Sequence, residues 1–163
     1  MTDQYVSELL RKHSANGLLL DTNLLLMFAV GTYDLRRIEN FKRTASYAQI
    51  DFQRLTWIAK QFTRFWRTPN ILTEVDNLGR QLPRNEWPGF ASSLSRLALT
   101  MTEAVVESAD AMKRNVFSQL GLADTITIVT NAKFLLMSDD LKLCLTAPRF
   151  RVDAVNFNHI RFT

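Results

Sequence analysis

The stretch GLLLDTNLLLMF, Gly17 to Phe28, sets Asp21, Thr22 and Asn23 between two runs of leucine. A carboxylate buried among such side chains is costly unless something compensates it. Leu18 to Leu20, closed in by Gly17 and the polar triplet, reads as a short buried strand. Leu24 to Val30, starting just past the turn, predicts a helix.

Working outward, residues 3 to 15 predict a helix that Asn16-Gly17 closes. Helices are also predicted over 35 to 45 and 47 to 66. In the second, Leu55, Ile58, Ala59, Phe62, Phe65 and Trp66 recur at the spacing of an amphipathic face, with Lys60, Arg64 and Arg67 on another. Pro69 to Leu72 is a candidate strand, with Thr73-Glu74-Val75 starting the next helix. Gln81 to Phe90 holds Pro83, Pro88 and Gly89 and predicts a loop, followed by helices over 90 to 107 and 108 to 119. Beyond Gly121 come a helix over Ala123 to Asn131, a buried strand over Phe134 to Met137, a short helix and a last strand within Arg151 to Phe157.

Short apolar strands alternating with longer helices predict an α/β fold, a three-layer α/β/α sandwich around a mostly parallel sheet. No repeat, low-complexity tract or linker divides the 163 residues, so one domain spanning 1–163 is expected. Ligands in such folds collect at the carboxyl ends of the strands. Asp21 follows the first strand, Glu74 the Ile71-Leu72 strand, and Asp139-Asp140 the Phe134 to Met137 strand, while Asp124 opens a helix. Four carboxylate sites meeting in one pocket would repel one another, and a bound cation relieves that repulsion. Oxygen ligands suit hard ions, and Mg²⁺ or Mn²⁺ are the natural candidates.

Composition narrows the alternatives. Hydrophobic residues make up 47% and charged residues 22% of the chain, values of an ordinary globular protein. No apolar run reaches the roughly 18 residues of a membrane span, and the N-terminus lacks the apolar core of a signal peptide. A cytoplasmic location and no membrane partner are therefore expected. Cys144 is the sole cysteine and His13 and His159 the only histidines, which argues against a disulfide, a zinc site or a histidine-based catalytic set. The 5 glycines form no phosphate-binding loop. The net charge is +4, but Arg36 to Arg67 carries eight basic residues against Glu39 and Asp51, a local +6. A basic segment of this kind suggests a polyanionic partner such as nucleic acid, or a solvated helix face.

The motifs LLLDTNLLL, TPNILTEVDNL, GLADTITI and FLLMSDDLKL, in that order over residues 18 to about 160, resemble those of PIN-domain nucleases. The resemblance implies a Mg²⁺- or Mn²⁺-dependent endoribonuclease hydrolysing single-stranded RNA. Its metal-binding and catalytic acids would be Asp21, Glu74, Asp124 and Asp140, with Asp139 as the alternate to Asp140, and Asn23 and Ser138 in support. Small bacterial members resemble the toxins of toxin-antitoxin pairs, so an antitoxin protein joins RNA among the expected partners, as does a second copy of the chain. Lys60, Arg64 and Arg67 would hold the phosphate backbone. The long basic stretch between Asp21 and Glu74 departs from the family pattern and reads as a substrate-binding insertion or as longer helices.

Competing readings stand beside these. Asp21 and Asp124 could each be a helix cap, and Glu74 a first-turn charge. The chain could be a non-catalytic nucleic-acid-binding or assembly module on the same fold. An aspartyl-phosphate enzyme with Asp21 as nucleophile is weaker, because Asn23 stands where a general-acid aspartate is wanted.

Overall fold

The computed structural model describes residues 4–162. Helix α1 (Gln4–His13) leads into strand β1 (Leu18–Leu20), followed by α2 (Thr22–Tyr33), α3 (Arg37–Asn40) and α4 (Gln49–Ala59). Strand β2 (Phe65–Arg67) precedes α5 (Pro69–Gly79) and α6 (Trp87–Leu99), and strand β3 (Thr102–Glu103) precedes α7 (Ser108–Met112), α8 (Phe117–Leu120) and α9 (Leu122–Val129). Strand β4 (Leu135–Ser138), helix α10 (Leu141–Thr146), a 3₁₀ turn over Ala147–Phe150, strand β5 (Ala154–Asn156) and helix α11 (Asn158–Arg161) complete the chain.

The five strands form one sheet in the order β3-β2-β1-β4-β5, and every pairing is parallel. Leu18, Leu19 and Leu20 stand opposite Leu135, Leu136 and Met137, all buried. Continuous apolar strands of this sort are what a sheet covered on both faces requires. From β1 the chain moves outward to β2 and β3, then returns to β4 and β5. Right-handed crossovers put α2 to α6 on one face and the helices of the return path on the other. Accordingly α2 packs on α4, α5 and α6, and α9 packs on α7. The architecture is the expected α/β/α sandwich, and none of the described helices is long and apolar enough to cross a membrane.

Gly17 fixes where β1 begins. Its φ of +117° suits glycine, and a Cβ there would meet the Trp66 indole at 2.8 Å.

Several element boundaries differ from the sequence expectations. Pro69 to Leu72 is the first turn of α5, because Thr68 caps that helix through the Ile71 amide (3.1 Å) and Pro69 takes the first helical position, where its missing N–H costs nothing. The helix predicted over 47 to 66 stops at Ala59, and its last part is a turn and then β2. Three residues of strand supply no period of their own, so Phe65 and Trp66 continued the helical pattern. Helix 35 to 45 shortens to α3, and the predicted loop 81 to 90 already contains the start of α6 at Trp87. The helices predicted over 90 to 107 and 108 to 119 give way to α6, the edge strand β3, α7 and α8.

A candidate acidic site at the carboxyl edge of the sheet

Between β1 and β4 the chain connections leave in opposite directions, and a crevice opens there at the carboxyl ends of the strands. A cavity of about 540 Å³ occupies this place, lined by Asp21, Glu74, Asp124 and Asp140 together with Thr22, Asn23 and Arg43. The remaining wall comes from Asn77 and Leu78 of α5 and from Leu120 to Ala123.

Asp21 ends β1 and caps α2. Its Oδ1 accepts the Leu24 amide at 3.0 Å, and its Oδ2 accepts the buried Ser138 hydroxyl. Capping and lining the cavity are thus done by the same carboxylate. It is only 6% exposed. Burial pushes its pKa up to about 7, with help from Asp139 and Asp124 and against the opposing bonds from Ser138 and Leu24. Asp124 lies in the first turn of α9 with Gly121 at the N-cap (φ 81°), so Asp124 is not itself the cap. Burial, then the charges of Asp140 and Glu74, raise its pKa to about 6.

Glu74 projects from the second turn of α5 and accepts the Thr22 hydroxyl. Asp140 caps α10 through the Leu143 amide at 3.1 Å, and its own amide donates to Ser138 Oγ at 2.9 Å. Ser138 therefore ties the residue after β1 to the loop after β4. Asp139 turns to the neighbouring wall, where it accepts from Tyr47 Oη and from Asn23 Nδ2 (3.2 Å). Of the Asp139-Asp140 pair, Asp140 is the one that lines the cavity.

None of the four cavity acids forms an ion pair with Lys, Arg or His among the described residues. The donors are oxygens throughout, without sulfur or imidazole, which fits a hard divalent cation. They are not drawn into a closed cage: among the described residues no three His, Cys, Asp or Glu side chains stand close enough to hold an ion. Carboxylates without a counterion repel, and Glu74 and Asp140 are each turned to a neighbouring donor.

Cys144 approaches this site from α10, with its sulfur 3.8 Å from the Ser138 carbonyl. Burial, then the charges of Asp21, Asp140 and Asp139, push its thiol up to about 12.

The basic face predicted from Lys60, Arg64 and Arg67 does not form, since the helix that would carry it ends at Ala59. Lys60 and Arg64 are exposed in the turn that enters β2, and the Arg64 carbonyl accepts the Leu18 amide at the start of β1. That is the amino edge of the sheet, away from the acids. Arg67 bonds the Ala98 and Met101 carbonyls and pairs with Glu103. Trp87 opens α6 with the Arg80 guanidinium 4.5 Å from the centre of its ring. Sequence reasoning missed Arg43, Thr22 and Asn77 as cavity residues. Thr22 lies inside the Asp-Thr-Asn triplet and could have been included, whereas Arg43 and Asn77 carry no local signal.

No family model, no curated protein and no solved structure matches the chain.

Proposed function

We propose that the chain is a metal-dependent endoribonuclease of the PIN type, hydrolysing phosphodiester bonds of single-stranded RNA. The observation that carries this reading is the convergence of Asp21, Glu74, Asp124 and Asp140, from four separate segments, on one cavity, with none of the four in an ion pair among the described residues. Asp21 and Asp124 are the most buried of these acids, and a cation held by them, with Asp140 and Glu74 at the rim, would offset the cost of ionising them. When bound, Mg²⁺ or Mn²⁺ would supply the charge neutralisation and water activation that hydrolysis needs.

The chain's own groups do the holding. Ser138 fixes the Asp21 carboxylate, and Tyr47 and Asn23 hold Asp139 aside while its neighbour Asp140 lines the cavity. The Thr22 and Ser138 hydroxyls are spent on Glu74 and Asp21, and the attacking group would be water. A cytoplasmic enzyme of this kind would suit the toxin half of a toxin-antitoxin pair, its partner protein covering the cavity.

One observation favours a second reading, a non-catalytic nucleic-acid-binding or assembly module: the carboxylates are not pre-gathered into a ligand cage. Incubation of the purified protein with a fluorescent single-stranded oligoribonucleotide separates the two. The nuclease reading expects cleavage with Mn²⁺ that excess chelator stops. Binding without cleavage at any divalent ion concentration would favour the module.

A further inference from the structure

The cavity that holds the four acids also holds one cation, Arg43, in the loop joining α3 to α4. Its Nε donates to Gln81 Oε1 at 2.7 Å, and no bond from its two terminal nitrogens and no ion pair to a carboxylate is formed among the described residues. An arginine lining the same cavity as four carboxylates, yet tied to a neutral amide, leaves its fork free toward the cavity. Most of its neighbours in the basic segment are spent: Arg36 pairs with Asp34, Arg37 with Glu86, Arg54 with Asp51, and Arg67 with Glu103. Lys60 and Arg64 lie at the opposite sheet edge.

The cavity thus has an acidic side, a cationic corner at Arg43 and an apolar wall of Leu78, Leu120 and Leu122. A planar guanidinium with free terminal N–H groups matches the non-bridging oxygens of a phosphodiester. We propose that Arg43 is the substrate-binding residue that grips a phosphate of the RNA strand, with Gln81 as its positioning residue; the inference rests on the nuclease reading.

The test uses the intact protein and one single-stranded oligoribonucleotide, measuring cleavage with Mn²⁺ and binding by fluorescence anisotropy, from about 50 to 200 mM KCl. Arg43→Ala is expected to raise KM about tenfold, the loss typical of one charge-assisted hydrogen-bonded contact, with a smaller change in kcat. Its affinity should also depend less steeply on salt, the logarithmic slope falling by about 0.7, one phosphate contact to a single strand. Arg43→Lys, which keeps the charge and loses the fork, should fall between, and Lys60→Ala with Arg64→Ala should keep the native KM. Because Arg43 is exposed, these variants leave the core intact.

An Arg43→Ala protein that cleaves with unchanged KM and salt slope overturns this contact and leaves the nuclease reading standing. Binding without cleavage, weakened by Arg43→Ala, overturns the nuclease reading and supports the contact. A native protein that neither binds nor cleaves overturns both.

Discussion

Asp21→Asn is expected to lower Mn²⁺-dependent RNA cleavage by about 1000-fold or more, on the scale of removing a principal electrostatic element from a hydrolytic site. The substitution is chosen to spare the fold. Asparagine caps a helix as well as aspartate, so the bond to the Leu24 amide survives, and the side-chain volume is unchanged. What disappears is the buried charge that the end of β1 brings to the cavity. The variant should keep its circular dichroism spectrum and a melting temperature close to that of the metal-free native chain, because relief from burying a carboxylate beside other acids offsets the loss of the acceptor for the Ser138 hydroxyl. Single-turnover cleavage measured beside melting separates loss of chemistry from loss of structure. Native activity in Asp21→Asn would remove this residue from the mechanism.

The largest stability effect is expected far from the cavity floor. Asp51 and Arg161 form an ion pair at 3.0 Å, their side chains 5% and 11% exposed, and Asp51 also accepts the Ala48 amide at the start of α4. Breaking a buried pair by removing one partner leaves the other charged and unmatched, which costs about 3–5 kcal/mol. Asp51→Ala should therefore lower the melting temperature by about 10 °C in a chain of this length. The pair also supports the site, since Arg161 lies 4.8 Å over the Tyr47 ring whose hydroxyl holds Asp139. Replacing both partners by apolar residues, as in Asp51→Ala with Arg161→Met, should recover part of the loss in urea titration. If the single variant melts like the native protein, the pair contributes nothing net.

The layers of this fold were legible where burial is total. Leu18 to Leu20 and Phe134 to Met137 are apolar because both sheet faces are covered, and their composition alone marks them as strands. The polar breaks after them were legible too, since Asp21 and the Asp139-Asp140 pair interrupt apolar runs where each strand gives way to a helix, and Asp21 and Asp140 cap those helices. What stayed hidden is short or edge-lying. Phe65 to Arg67 is a half-buried strand of three residues and Thr102-Glu103 an exposed one of two, both too brief to show a period. At Pro69 the apolar Ile71-Leu72 pair imitates a strand, while Thr68-Pro69 is the start of a helix. Glu74 reached the cavity all the same, one turn further along α5 than its placement after a strand implied. Arg43 and Gln81 are brought together by tertiary packing across 38 positions, which no local pattern can announce.

The protonation of the cavity acids follows from their burial. Asp21 and Asp124, raised from 3.8 to about 7 and about 6, keep protons in the folded chain that the unfolded chain has already released. The folded state binds more protons between the two values, so stability from these groups is greatest at low pH and falls as pH rises toward 7. A cation that needs both carboxylates ionised must displace those protons, and its affinity runs the other way.

Calorimetric titration of Mn²⁺ into the native protein tests this most directly. Saturable binding is expected at about pH 8, weakening at least tenfold at about pH 5.5 and to a similar degree at pH 8 in Asp21→Asn. Absence of binding at the higher pH, or an affinity that neither the pH nor the substitution changes, would contradict a cation held by Asp21 and Asp124.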